Sequence, residues 1–153
     1  MTRPDDPFDL ARFRDAQAGV VDGALAELRA GHKRGHWIWF VFPQLAGLGR
    51  SELSRFYGIA SLDEARAYLA DPILGPRLEA SAAALLSTGG RSAERILGSI
   101  DAMKVRSSMT LFRAADPAVA VFDDVLTRFY AGSPDPTTMA MRDALASGPT
   151  EPA

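Results

Sequence analysis

Apolar residues recur at helical spacing along most of the chain. Positions i, i+3, i+4, i+7 and i+11 lie on one face of a helix, and this is the spacing of Ala118, Val121, Phe122, Val125 and Phe129. Residues 21–28 and 78–86 follow the same template. The sequence lacks the sustained alternation of apolar and polar residues that indicates a half-buried strand. The pattern therefore predicts that helices dominate the fold.

Four Asp-Pro dipeptides mark predicted helix starts. They begin at residues 6, 71, 116 and 135, and the segments that follow mostly carry apolar residues at helical spacing. An Asp side chain can accept a hydrogen bond from a free backbone N–H of the first turn. The Pro after it lacks only an N–H that would be unpaired there in any case. Ser61 and Glu64 form a capping-box pattern ahead of another apolar segment. We therefore predict several helices joined by turns.

One apolar run, residues 37–42, has no polar side and fits either a buried helix or a buried strand. We favour the helix, which Pro43 would end. The complete pattern predicts an all-α fold, a single-domain orthogonal bundle of short to medium helices over residues 1–146. Residues 147–153 are rich in Gly and Pro, and we expect them to form a flexible C-terminal tail.

The composition excludes several classes of function. The chain has 153 residues, of which 47% are hydrophobic and 24% charged, and this is typical of one globular domain. It contains no cysteine, which excludes disulfide scaffolds, Cys-containing zinc sites, iron–sulfur clusters and thiol catalysis. The formal net charge of −2 provides no overall field to hold a polyanion. We therefore expect no binding of DNA.

The same features bear on localisation and on metal binding. The first residues lack the basic and then apolar pattern of a signal peptide, and no apolar run approaches the roughly 20 residues that span a bilayer. We therefore expect a cytoplasmic protein without membrane contact. His32 and His36 are four residues apart, but no acidic residue lies near them in sequence to complete a metal site. We expect neither a metal nor a cofactor.

The first candidate site segment covers residues 31–51. It contains both histidines and both tryptophans of the chain, together with three other basic side chains. Imidazole can donate to a phosphate or transfer a proton, and aromatic rings can stack on a base. We interpret His36 as a possible acid/base group or phosphate donor, Trp37 and Trp39 as walls, and Gln44 as a ligand contact. In the alternative interpretation, the aromatic residues are core and the basic ones decorate a solvated turn.

A glycine-rich turn, Gly-Leu-Gly-Arg-Ser, ends this segment at residues 47–51. Glycines allow backbone N–H groups to converge, and the predicted short helix over residues 51–57 would add the partial positive charge of its N-terminus. This predicts Gly49, Arg50 and Ser51 as anion contacts. The alternative is a structural turn in which Ser51 is the helix N-cap.

The second candidate segment covers residues 103–112. On a helix, Lys104 lies on the same side as Ser107 and Ser108, whereas Arg106 points away from them. Both basic groups could bind one ligand only if the chain were irregular near residues 104–106. Lys104 is one of only two lysines in a chain with fifteen arginines. We predict Lys104, Arg106, Ser107 and Ser108 as anion contacts, with a surface lysine as the alternative interpretation of Lys104.

Motifs in both segments resemble those of a known family. The blocks Phe-Pro-Gln-Leu at residues 42–45 and Arg-Ser-Ser-Met-Thr-Leu-Phe at residues 106–112 are specific, and the match begins near residue 6. The chain resembles the bacterial domain-of-unknown-function family 1810, whose members are sometimes labelled calpastatin. The resemblance implies an all-α domain with no assigned activity. Calpastatin is a disordered and repetitive chain, whereas this sequence is typical of an unrepeated globular domain.

The order of the motifs is also similar to that of helical N-glycosidase domains that act on ADP-ribose-type compounds. Those domains carry an aromatic block, a Gly-Arg-like turn and a late basic helix with Phe. This sequence departs from them because residues 36–44 contain no carboxylate where a Glu is expected.

Two functions therefore stay open. In the first, residues 36–51 and 104–108 form one site for a small anionic ligand, nucleotide-like or ribosyl-phosphate-like, in a binding protein or an enzyme. In the second, the aromatic residues are core and the chain is a non-catalytic protein-interaction module. A concave pocket that joins the two segments would favour the first function.

Overall fold

The computed structural model describes residues 5–147 and contains ten helices over that range. These are α1 (Ala11–Gln17), α2 (Val21–Ala30), α3 (Ile38–Val41), α4 (Glu52–Phe56), α5 (Leu62–Ala70), α6 (Leu74–Leu86), α7 (Ala93–Leu97), α8 (Ser99–Ala115), α9 (Ala120–Tyr130) and α10 (Pro136–Ser147). Leu45 and Ile59 form an isolated parallel bridge, and no strand occurs within the described residues. The predicted all-α fold is confirmed. Of the predicted tail, residues 148–153 lie outside the described residues, and α10 includes Ser147.

The longest helix, α8, packs against α5, α7, α9 and α10. Its core face carries Val105, Met109 and Phe112, all fully buried. The Phe112 ring lies 5.2 Å from that of Tyr68 on α5 and 6.0 Å from that of Phe122 on α9, measured between centroids. Another face of α8, towards its N-terminal end, is left open to solvent by these neighbours. That open face borders the candidate site.

Each Asp-Pro dipeptide lies shortly before a helix, as predicted, but three of the four helices begin three to five residues after the Asp. The Asp side chains precede α1, α6, α9 and α10, and each accepts a hydrogen bond from a backbone N–H two to five residues later. Pro136 is the first residue of α10, whereas the other three prolines lie before the helix in a turn. The Asp side chain accepts from a helical N–H at α1, α6 and α10, whereas at α9 Asp116 accepts only from Ala118 N in the preceding turn, and the predicted cap is absent.

The apolar run over residues 37–42 forms the short helix α3, as we favoured. Ile38 and Val41 are buried within it, and Phe42, which follows it, is fully buried. Pro43 comes directly after this apolar stretch and cannot donate the backbone hydrogen bond that would extend the helix. Burial on several sides explains why this run has no polar face.

The Ser61 cap of α5 provides a first testable prediction. Only this half of the predicted capping box forms, because the Glu64 carboxylate accepts a hydrogen bond from Ala60 N and not from Ser61 N. Ser61 Oγ accepts a hydrogen bond from Glu64 N at 3.1 Å, and α5 buries Ala65 and Tyr68 behind this cap. We expect Ser61→Ala to lower the free energy of unfolding by about 1 kcal/mol, measured by urea denaturation.

Ser51 offers a matched control. Its Oγ accepts from Ser54 N, also at 3.1 Å, but the five-residue helix α4 has no buried residue among those described. Loss of this cap would destabilise a helix that buries little surface. Ser51→Ala should therefore lower the free energy of unfolding by less than half as much as Ser61→Ala. Equal losses in the two variants would contradict this explanation.

Candidate functional site

A groove runs along the N-terminal half of α8 and consists of two adjoining cavities. The first, of about 390 Å³, lies between the start of α8 and the segment around α3, and we call it the α3 lobe. The second, of about 410 Å³, lies between α8, the 44–49 loop and the start of α10, and we call it the α10 lobe. Ile100 and Lys104 line both lobes. The groove therefore joins the two segments singled out in the sequence.

Six of the eleven predicted site residues line this groove. In the α3 lobe these are His36, Trp39 and Lys104, and in the α10 lobe they are Gln44, Gly49, Lys104 and Ser107. Residues some sixty positions apart in the chain are thus brought together by the packing of α8 against α3. The structure supplies the concave surface that the first functional hypothesis requires.

Lys104 occupies the junction of the two lobes. Its Nζ lies 5.0 Å from the centroid of the Trp39 ring, at the distance of a cation–π contact. The side chain is half-buried, and it forms no ion pair with any residue in the described part of the chain. The buried indole N–H of Trp39 also has no acceptor there. One cation and one hydrogen-bond donor thus stand without polar partners in or beside the groove.

A largely buried ion pair lines the α3 lobe. Lys33 Nζ lies 2.7 Å from Asp101 Oδ2, and the two side chains are 8% and 19% exposed. Lys33 Nζ also donates to Gly35 O and lies 4.9 Å from the ring of Trp37. The ion pair thus ties the loop before α3 to the first turn of α8. The alternative interpretation of the sequence placed Lys33 on a solvated turn. Neither interpretation predicted this contact, since nothing local to either residue indicates it.

Glu27 on α2 holds the same loop from the other side. Its Oε1 accepts hydrogen bonds from Arg34 N at 2.7 Å, Gly35 N at 2.8 Å and Trp37 Nε1 at 3.1 Å. Burial by itself would raise the pKa of Glu27, but these hydrogen bonds and the charge of Lys33 lower it below its ordinary value. The charged carboxylate therefore fixes the loop that presents His36.

The first turn of α8 faces the α3 lobe. Its N-cap, Gly98, has a φ of +85°, which favours glycine, and no side chain caps this helix end. Gly98, Ser99 and Ile100 all line the lobe. Free backbone N–H groups and the helix dipole make this end partly positive, and the Asp101 carboxylate offsets part of that charge.

Five predicted site residues lie outside both lobes. Trp37 is 3% exposed and packs in the core, where its ring centroid is 6.4 Å from that of Phe42. Arg50 and Ser51 are exposed, and the hydroxyl of Ser51 caps α4, as the alternative interpretation of the turn had it. The remaining two, Arg106 and Ser108, belong to α8.

The regularity of α8 explains the placement of Arg106 and Ser108. Because the helix continues unbroken through residues 104–106, Arg106 points away from Lys104. Its Nε and Nη2 donate to the backbone oxygen and hydroxyl of Ser133 at 2.9 and 2.8 Å. Ser108 is fully buried, and its hydroxyl has no partner within the described residues. Sequence proximity to Lys104 therefore did not bring these two residues to the groove.

The described residues contain no group of three or more His, Asp or Glu side chains placed to hold a metal ion. None of the helices over residues 5–147 combines the length and apolar character needed to cross a bilayer. His36 is exposed at the α3 lobe and forms no hydrogen bond with the described residues. The chemistry available in the groove is therefore that of one unpaired lysine, one imidazole, the Asp135 carboxylate and neutral hydrogen-bonding groups, beside the Lys33–Asp101 ion pair.

The comparisons with known proteins agree with the motif blocks of the sequence. Residues 7–142 match a family described as a protein of unknown function, DUF1810. The structure is similar to the crystal structure of the conserved hypothetical protein Rv1873 from Mycobacterium tuberculosis. The two share 51% sequence identity at a TM-score of 0.89, over 90% of this chain and 99% of that one. A comparison with curated proteins finds no match. The resemblance is confirmed, and the chain belongs to the DUF1810 family.

Proposed function

We propose that the groove binds a small anionic ligand of the nucleotide or ribosyl-phosphate type, and that the protein does so in the cytoplasm. The observation that carries this proposal is Lys104, a half-buried cation without a carboxylate partner in the described residues, at the junction of two cavities. A cation held in such a position loses hydration, and an anionic ligand would compensate for that loss. The cysteine-free sequence is compatible with a reducing compartment.

The other groups of the α3 lobe support the same ligand chemistry. Lys33 is offset by Asp101, which leaves Lys104, the His36 imidazole and the first turn of α8 to meet a phosphoryl group. The His36 imidazole lies at the lobe, but no carboxylate in the described residues orients its ring. The geometry therefore supports binding more directly than catalysis.

Replacement of Lys104 tests this proposal. We expect Lys104→Ala to weaken the binding of ribose 5-phosphate at least 10-fold, measured by isothermal titration calorimetry, because the variant removes the unpaired cation. Arg106→Ala is the matched control, since it removes one positive charge from the same helix on a side that faces Ser133. The control should bind ribose 5-phosphate as the native chain does. An equal loss in both variants, or no binding by the native chain, would refute the proposal.

One observation favours the alternative of a protein-interaction module. Ile100 and Met103 are 70% and 69% exposed, and both border the groove on α8. Exposed apolar residues beside a concave surface are also found where a protein partner docks. This alternative predicts that no small anion stabilises the protein in a thermal-shift screen of nucleotides and sugar phosphates. A shift that is lost in Lys104→Ala would decide against it.

A further inference from the structure

The two lobes of the groove differ in chemical character. The α3 lobe contains Lys33, His36 and Asp101 beside the shared Lys104. The α10 lobe is lined by apolar side chains and by neutral polar ones, with a single carboxylate; its distinctive residues are Leu48, Met103, Gln44, Ser107, Thr137 and Asp135. A ligand that fills both lobes therefore needs a charged end and an end that is largely uncharged.

The carboxylate of Asp135 determines which end lies in which lobe. Asp135 Oδ2 accepts from Thr138 N at 2.8 Å and from Thr138 Oγ1 at 2.6 Å, so its position at the start of α10 is fixed. This carboxylate repels a phosphate from the α10 lobe. The Asp101 carboxylate of the α3 lobe is instead paired with Lys33. A phosphate is therefore better accommodated in the α3 lobe, next to Lys104.

The side-chain amide of Gln44 could form hydrogen bonds with the edge of a nucleobase in the α10 lobe. The backbone oxygen of Gln44 accepts a hydrogen bond from Ile59 N at 2.8 Å, which fixes this residue beside the bridge between Leu45 and Ile59. Its side-chain amide, by contrast, forms no hydrogen bond with the described residues. An amide both donates and accepts, as a nucleobase edge requires. Leu48 and Met103 supply apolar and polarisable surface against which a flat ring can pack.

We propose that the ligand is a nucleoside monophosphate whose phosphate lies in the α3 lobe and whose base lies in the α10 lobe. This inference rests on the proposed function and narrows its ligand class. A single phosphate matches a lobe in which Lys33 is already offset by Asp101 and Lys104 is the remaining lysine. The exposed side chains of Ile100 and Met103 are then the surface that the base covers.

Calorimetric titration with a series of related compounds tests this assignment. The probes are the four ribonucleoside 5′-monophosphates, their nucleosides, adenosine 5′-triphosphate and ribose 5-phosphate. At least one monophosphate should bind 10-fold more tightly than both its own nucleoside and ribose 5-phosphate. The triphosphate should bind no more tightly than that monophosphate, because the α3 lobe provides no further unpaired lysine.

Variants of the two lobes should separate the contribution of the base to binding from that of the phosphate. Gln44→Ala and Met103→Ala should each weaken binding of the monophosphate at least 5-fold and leave binding of ribose 5-phosphate unchanged. Lys104→Ala should weaken binding of both compounds. Leu53→Ala is the apolar control, since Leu53 is 44% exposed on α4 and lines neither lobe. Circular dichroism of each variant establishes that the fold is retained.

The outcomes distinguish this inference from the proposed function. If ribose 5-phosphate binds as tightly as every monophosphate, and Gln44→Ala and Met103→Ala change neither, the base does not lie in the α10 lobe. The inference is then overturned while the anion site stands. If no phosphate compound binds the native chain, both are overturned. If tight binding of the monophosphate depends on Lys104 together with Gln44 and Met103, the inference is supported.

Discussion

Replacement of Arg12 by alanine is expected to lower the free energy of unfolding by about 3–5 kcal/mol, because it leaves a buried carboxylate without its partner. Arg12 Nη2 lies 2.7 Å from Glu64 Oε2, and the two side chains are only 10% and 4% exposed. The guanidinium also donates to the backbone oxygens of Phe8, Asp9, Phe56 and Gly58, so one side chain joins the start of α1 to the segment between α4 and α5.

The effect of this variant should reach the groove. Arg12 anchors the backbone at Gly58, and the next residue, Ile59, is paired with the groove segment. Ile59 N donates to Gln44 O, and Ala46 N donates to Ile59 O, each at 2.8 Å. Loss of Arg12 therefore loosens the backbone that positions Gln44 in the α10 lobe.

Urea denaturation followed by circular dichroism measures this loss, and Arg66→Ala is its control. Arg66 pairs with Asp63 at 3.3 Å, and its Nε donates one long hydrogen bond, also of 3.3 Å, to Ala115 O; the side chains of the ion pair are 54% and 81% exposed. Solvent screens such a pair, and its removal should cost at most about 1 kcal/mol. If Arg12→Ala unfolds at the same urea concentration as Arg66→Ala, the Arg12–Glu64 pair is not the anchor described here.

Features of the fold that depend on neighbouring residues were predictable from the sequence. The Ser61 cap and the Asp side chains before four helices act on backbone groups within five residues, so their signal is local. The pair between Arg12 and Glu64 joins residues 52 positions apart. Nothing in the sequence around Arg12 distinguishes it from the other arginines, because the contribution of this pair to stability depends on its burial in the folded chain.

In the candidate site, too, some features could be predicted from the sequence and others could not. Lys104 was predicted because it is one of two lysines, and the structure places it in the groove with His36 and Gln44. The apolar run over residues 37–42, however, mixes core and surface residues. Trp37 is buried in the core, whereas Trp39, two positions later, lines the α3 lobe. The contact of Lys33 with Asp101 forms only when α8 packs beside the loop before α3, so the spacing of residues in the sequence could not predict it.

Glu27→Ala is expected to lower the free energy of unfolding by about 2–3 kcal/mol and also to weaken the binding of ribose 5-phosphate. The variant leaves Gly35 N and Trp37 Nε1, both partly buried donors, without their acceptor. The same loop carries Lys33 and His36 into the α3 lobe, so its loosening should disturb the site as well. Glu27→Gln is the matched variant, since it keeps an acceptor oxygen and should lose less stability in urea denaturation.

The pH dependence of this loss separates the charge of Glu27 from its packing. Because the folded-state pKa of Glu27 lies below its ordinary value of 4.5, the carboxylate stabilises the fold fully above that pH and loses this contribution as the pH falls through the folded-state value. The difference in unfolding free energy between the native chain and Glu27→Ala should therefore be constant between about pH 6 and 7 and shrink below about pH 4.5. Urea denaturation at a series of pH values measures it. A difference that stays constant down to pH ~3 would mean that Glu27 acts by packing alone, and that its charge does not hold the loop that presents His36.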